Sequence, residues 1–127
     1  MITGIRIDSV EAVREKNDDI IGLDVNIGVD DIKINSNQVE IKFSYTANYR
    51  EGVGYLKMKG SIFTQEEIKK VKEIEKSWNE QKRLPDEFSE MILNAINFTC
   101  GTNGVLVVRP VNLAPPMVPP KIQIKKD

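Results

Sequence analysis

The sequence predicts an α+β fold: a four-stranded antiparallel meander sheet with two helices, both from the second half of the chain, packed on one face. In the first half, apolar and polar residues alternate with the period of two that marks strands with one buried face. After residue 64 the apolar residues recur at helical spacing instead. A run of strands followed by a run of helices is typical of an antiparallel sheet covered by helices on one side.

Four segments have the strand periodicity, and turn signals separate the last three of them. The turns are predicted at Asn35–Gln38 (NSNQ) and Arg50–Gly54 (REGVG), where short polar and glycine-containing connections favour hairpins. Such connections predict that consecutive strands are neighbours. The predicted strands are residues 2–9 (ITGIRIDS), 21–30 (IGLDVNIGVD), 39–49 (VEIKFSYTANY) and 55–63 (YLKMKGSIF).

Two helices are predicted in the second half. The first follows Thr64-Gln65-Glu66-Glu67, which fits a capping box. The second has Pro85 at its first position and ends in a left-handed cap at Gly101 or Gly104. A short strand, VLVV, and an extended proline-rich segment, residues 109–127, are predicted to follow. The predicted apolar stripes are Ile68, Val71, Ile74 and Trp78 in the first helix, and Phe88, Met91, Ile92, Ala95, Ile96 and Thr99 in the second.

The composition excludes several classes of function. A net charge of −1 gives no overall attraction to nucleic acid or to an anionic membrane. No apolar run approaches the roughly 18 residues that span a bilayer, so no membrane insertion is expected. One cysteine, Cys100, excludes an intrachain disulfide and is expected to be a buried, inert thiol. These features predict a cytoplasmic protein.

The absence of histidine bears on catalysis and on metal binding. It excludes Ser-His-Asp and Cys-His catalysis within one chain, and it removes the usual zinc and iron ligand sets. The acidic pairs Asp18-Asp19 and Asp30-Asp31 are read as turn residues at strand ends. We therefore expect no enzyme, no cofactor and no metal site. Acid/base chemistry by Asp, Glu, Lys or Tyr is the remaining catalytic alternative.

The order of these elements, and the motif Asn112-Leu113-Ala114-Pro115 after the second helix, resemble the SecB family of protein-export chaperones. The resemblance covers residues 2–119. It implies a SecB-like fold in which subunits pair and two pairs associate through the helix layer into a tetramer. It also implies an ATP-independent holding chaperone that binds unfolded polypeptides in exposed apolar grooves. Some relatives serve export, and others protect antitoxins.

The resemblance and the residue pattern together give one functional hypothesis: a single SecB-like domain, residues 1–127, that binds unfolded or partly folded polypeptides and self-associates to a dimer or tetramer. The alternative is an oligomeric scaffold or regulatory subunit with one specific protein partner. RNA binding on the sheet is a third idea, but Tyr45 and Tyr49 alternate away from Lys42 and Arg50, so no nucleic-acid partner is expected. The candidate polypeptide-binding residues, which could instead fill the core or a subunit interface, are Tyr49, Tyr55, Phe63, Trp78, Leu113 and Met117.

Overall fold

The computed structural model describes residues 1–116 and contains the predicted four-stranded antiparallel sheet and two helices. The fold class is therefore confirmed. The strands, whose order across the sheet is β1-β4-β3-β2, are β1 (Ile2–Arg14), β2 (Leu23–Asn35), β3 (Gln38–Tyr49) and β4 (Gly54–Gln65).

Strands β2, β3 and β4 form the predicted meander, and β1 differs from it by pairing with β4. The two hairpins explain the first part: a two-residue turn with Ser36 at φ 59° joins β2 to β3, and a short 3-10 turn, Arg50–Gly52, joins β3 to β4. By contrast, eight residues separate β1 from β2. That length suffices to cross the roughly 15 Å from one edge of a four-stranded sheet to the other.

The core lies on one face of the two central strands. Every second residue of β3, from Val39 to Tyr49, is buried, and the facing residues Leu56, Met58 and Ile62 of β4 are buried with them, as their alternation predicts. The other face is polar, and opposite charges lie directly across from one another at Lys33–Glu40, Asp31–Lys42 and Glu11–Lys57. This asymmetry places both helices on the apolar face.

Helix α1 (Ile68–Gln81) buries Val71, Ile74 and Trp78, which confirms most of the predicted stripe, whereas Ile68 is half exposed. The predicted capping box is wrong. Thr64 lies in β4, paired with Val39, so its extended backbone belongs to the sheet, and its buried hydroxyl has no hydrogen-bond partner among residues 1–116. Glu67 precedes the helix without a side-chain capping bond.

Helix α2 (Asp86–Val108) is longer than predicted and follows Pro85 directly. It continues through Gly101 and Gly104, so the predicted glycine cap and the VLVV strand are both wrong. Gly104 instead permits close packing, because a Cβ there would lie 2.9 Å from Pro116 and 3.0 Å from Leu56. A 3-10 turn, Arg109–Val111, extends the chain, and the left-handed residue falls at Asn112, with φ 56°.

One of the two acidic pairs differs in position from the expectation. Asp18-Asp19 lies in the β1–β2 connection, as a turn assignment requires. Asp30-Asp31 lies within β2, where the pairing with β3 shifts by one residue between Val29 and Asp31. Such a bulge leaves one residue unpaired, and here it breaks the regular edge of the sheet at a charged position.

Candidate polypeptide-binding site

The side of α2 that faces away from the sheet exposes large apolar side chains. Phe98 is 62% exposed, Leu106 is 68% exposed and Val105 is 37% exposed. Their spacings of seven and eight residues place them on neighbouring positions of one helix face. We call these three residues the outer face of α2.

The composition of α2 makes this exposure unusual. The helical stretch Asp86–Val111 contains an 18-residue segment with a mean hydropathy of 1.4, of which 39% is buried, so the helix is long and apolar enough to cross a membrane. The sequence-based expectation that no segment would reach this threshold therefore does not hold. In this fold the helix packs its other side against the sheet, where Phe88, Ile92 and Ile96 are buried.

The segment after α2 crosses the end of the sheet on the same face as the helices. We call residues Asn112–Pro116 the strap. Arg14 Nη1 donates a hydrogen bond to the carbonyl oxygen of Asn112 at 2.7 Å, and the Tyr49 hydroxyl donates to that of Ala114. A backbone bond from Leu113 N to the Val108 carbonyl oxygen, at 3.2 Å, ties the strap to the end of α2.

Two apolar side chains of the strap occupy space that glycines leave free. Leu113 is 5% exposed, and its two Cδ atoms lie 3.2 Å from where a Cβ of Gly54 would be. Pro116 is buried against Gly104 in the same way. The strap is thus held by side chains that bond its main chain and by two glycine notches that accept its side chains.

A groove of about 430 Å³ runs between the strap, the end of α2 and the β1–β2 connection. Ile21 follows the lining residue Ile20 in the chain and is 66% exposed, so apolar surface continues beyond the groove at the β1–β2 connection. The charged side chain in the lining is Arg109. The lining residues are Ile20, Val105, Val108, Arg109, Asn112, Leu113, Ala114 and Pro115.

The sequence-predicted contact residues are not brought together in one site. Tyr49, Trp78 and Leu113 are buried, and Tyr49 and Leu113 meet at the strap. Tyr55 and Phe63 lie on the polar face of the sheet, where they contact Lys57 and Arg6. Met117 lies outside the described residues. A direct role of these six residues in binding clients stays a prediction.

Sequence reasoning missed the outer face of α2. Phe98, Val105 and Leu106 lie off the predicted stripe of that helix, and the assumed end at Gly101 or Gly104 removed the last two from it. A signal was present, because the helix carries apolar residues on more than one side. A helix that is apolar on several sides needs more than one partner surface.

Burial shifts the pKa values of three titratable groups near the core. Burial raises the pKa of the Cys100 thiol to about 12 and that of the Tyr45 phenol to about 12, and it also raises the pKa of Tyr49. Each group is therefore held neutral near pH 7. Among residues 1–116, no group of three or more Asp, Glu or Cys side chains could hold a metal ion.

The comparisons with known proteins bear on the fold. No family model matches the chain, and no curated protein matches its sequence. A solved structure with a similar fold is the SecB-like chaperone of Mycobacterium tuberculosis in complex with a ChAD peptide from the HigA1 antitoxin. It shares 11% sequence identity and a TM-score of 0.57 with this chain, covering 99% of this chain and 89% of its own. At that identity the likeness concerns the fold alone: this chain has a fold similar to that of a SecB-like chaperone.

Proposed function

We propose that this protein is an ATP-independent holding chaperone that binds unfolded polypeptides through the apolar surface of α2 and the adjoining groove. The observation that carries the proposal is the outer face of α2, where three large apolar side chains on one helix face are 37% to 68% exposed. Large exposed apolar patches mark interaction sites, because exposing them to water costs free energy without stabilising the fold.

The chemistry of the surface favours non-specific polypeptide binding. The outer face of α2 offers one aromatic and two aliphatic side chains, which gain free energy from any apolar client by burial rather than by directed bonds. The solvated face of α1, rich in Lys and Glu, helps to keep the chaperone soluble. Binding an unfolded chain by such surface lowers its free concentration and so delays aggregation without a catalytic group.

Self-association is part of the proposal. The same outer face of α2 supports an assembly of dimers, or of a tetramer, through the helix layer, as the SecB family resemblance implies. Clients would then bind the parts of the apolar surface that the assembly leaves free, including the groove beside the strap. Light scattering coupled to size-exclusion chromatography measures the mass, and a monomer at micromolar concentration would remove this part of the proposal.

The scaffold hypothesis is the competing function, since one specific folded partner could also cover the outer face of α2. The deciding experiment is light scattering during dilution of two unrelated denatured proteins, with and without this chain. A holding chaperone delays aggregation of both near stoichiometric ratios. A scaffold delays neither, and that result would reject the chaperone proposal.

A further inference from the structure

We propose that the strap is an internal pseudo-client that occupies a polypeptide site in cis, and that clients bind by displacing it. The clients favoured by this site are extended segments with a branched aliphatic residue three positions before a proline. The proposal rests on the proposed function, and it adds the site, its regulation and the class of segment that it accepts.

The hydrogen bonds of the strap are those that bind a polypeptide with little regard to sequence. Arg14 and Tyr49, from two different strands, each donate to a main-chain carbonyl oxygen rather than to a side chain of the strap. Every peptide carries main-chain carbonyl groups, so a client that turns where the strap has its left-handed Asn112 can accept both bonds. The strap pairs with no strand, and displacing it breaks no sheet ladder.

The side-chain contacts supply the selectivity. Leu113 fills the notch at Gly54, where an added Cβ would lie 2.4 Å from the Val13 carbonyl oxygen, so the space exists only because the residue is glycine. Pro116 fills the notch at Gly104. These two side chains lie three positions apart, which sets the spacing of the favoured clients. Proline at the second position also limits the conformational entropy lost on binding.

The strap also lies where a client would arrive. Leu113 and the two residues after it form one wall of the groove, whose opposite wall includes Val105 from the outer face of α2. A client held on α2 at Val105 therefore reaches the strap across this groove. Displacement of the strap frees the notches at Gly54 and Gly104, which adds to the apolar surface that the client can bind.

The strap competes with an added peptide for the same site, and this competition determines how far the apparent affinity for the peptide is weakened. A segment on a short tether has an effective concentration in the millimolar range. If a free peptide of the strap sequence binds with a dissociation constant of roughly 10–100 μM, the strap weakens its apparent affinity by about 10- to 100-fold. A variant that loosens the strap should therefore recover most of this loss of apparent affinity.

The experiment uses the full chain and a labelled peptide, PVNLAPP, which has the sequence of residues 110–116. Anisotropy titration compares the natural chain with Leu113→Ala and with Pro116→Ser, which alter only the strap. We expect both variants to bind the peptide about tenfold more tightly or better. A control peptide, PVNSAPP, lacks the aliphatic group and should bind at least tenfold more weakly than PVNLAPP to every chain.

Variants of the residues that hold the strap should not gain affinity for the peptide. Gly104→Ala fills one notch, and Tyr49→Phe removes one donor, so each weakens the strap and the added peptide alike. Neither should gain affinity for PVNLAPP. A gain in these two variants equal to that of Leu113→Ala would overturn the proposal, because it would indicate that any loosening of the fold exposes binding surface.

Hydrogen exchange gives a readout independent of affinity. The amides of Asn112 and Leu113 are bonded to the Arg109 and Val108 carbonyl groups, at 3.1 and 3.2 Å. Saturating PVNLAPP should speed their exchange while the amides of α2 stay protected. Unchanged protection with bound peptide would refute displacement and leave the proposed function intact. No binding to any chain would also overturn the inference, whereas failure of the proposed function itself appears as undelayed client aggregation.

Discussion

Replacing the two most exposed side chains of α2 should weaken client binding while leaving the fold intact. We consider the double variant Phe98→Ser/Leu106→Ser, in side chains that are 62% and 68% exposed. Full burial of such a side chain is worth about 1.5–3 kcal/mol, and about two thirds of each remains available to a client. Covering both therefore contributes about 2–4 kcal/mol.

The expected loss of affinity follows from that range. A change of 1.4 kcal/mol corresponds to a factor of ten, so the double variant should bind an unfolded client about 30-fold more weakly or worse. The assay is fluorescence anisotropy with a labelled, permanently unfolded client, together with aggregation suppression at matched concentrations. Thermal unfolding of the variant should change little, because exposed side chains contribute little to the folded state.

A matched control variant tests whether the position of the removed side chains on α2 matters, rather than the loss of exposed apolar surface alone. Val10→Ser/Ile68→Ser removes two aliphatic side chains that are 51% and 50% exposed, on β1 and at the start of α1. This variant should bind clients as the natural chain does. A folded α2 variant that binds as tightly as the natural chain would contradict a role of the outer face in client binding, and so would an equal loss of affinity in both variants. The oligomeric mass of each variant shows whether a loss arises through disassembly.

The other predictions concern stability. Ile92→Ala, at a fully buried position, should lower the free energy of unfolding by about 2–5 kcal/mol in urea titration, whereas Leu106→Ala should change it by less than about 0.5 kcal/mol. The free energy of unfolding should fall above pH 9, because folding raises the pKa values of Cys100 and Tyr45 from 9.0 and 10.0 to about 12. Between its unfolded and folded pKa values, each group lowers the free energy of unfolding by about 1.4 kcal/mol per pH unit. Cys100→Ala should therefore reduce the slope of stability against pH just above pH 9. Tyr49→Phe should cost about 1 kcal/mol and speed hydrogen exchange in the strap.

The sequence predicted the sheet well because its signals are local. Alternation along β3 assigned Val39 to Tyr49 to the buried face, and the structure buries that row. The position of β1 was not predictable from local turns, since an eight-residue connection permits a neighbour or a distant edge. Its pairing with β4 depends on the whole sheet rather than on residues near the chain connection.

The helix ends were harder to predict because the same residue types serve two purposes. Glycine after an apolar run suggests a left-handed cap, but Gly104 is helical and makes room for Pro116, which lies twelve positions later. Thr64 before two glutamates suggests a helix start, but it completes a strand pair. In both cases a tertiary contact decided the conformation over the local preference.

One part of the candidate site, the strap, lies in the segment that the sequence predicted to be extended. Leu113, within that segment, was predicted either to bind clients or to fill the core or a subunit interface. Its side chain points inward, against Gly54, and the Tyr49 hydroxyl donates a hydrogen bond to the carbonyl oxygen of Ala114 in the same segment. The outer face of α2 escaped prediction because exposure depends on which side of the helix the sheet covers, and a single sequence does not specify that.

Equilibrium binding to two unrelated proteins, each in its folded and its unfolded form, decides whether the chain binds unfolded polypeptides without regard to their identity. Anisotropy titration of each labelled form at one temperature gives the comparison. We expect saturable binding of both unfolded forms and of neither folded form. Binding of neither unfolded form, or binding of one folded protein alone, would contradict this expectation.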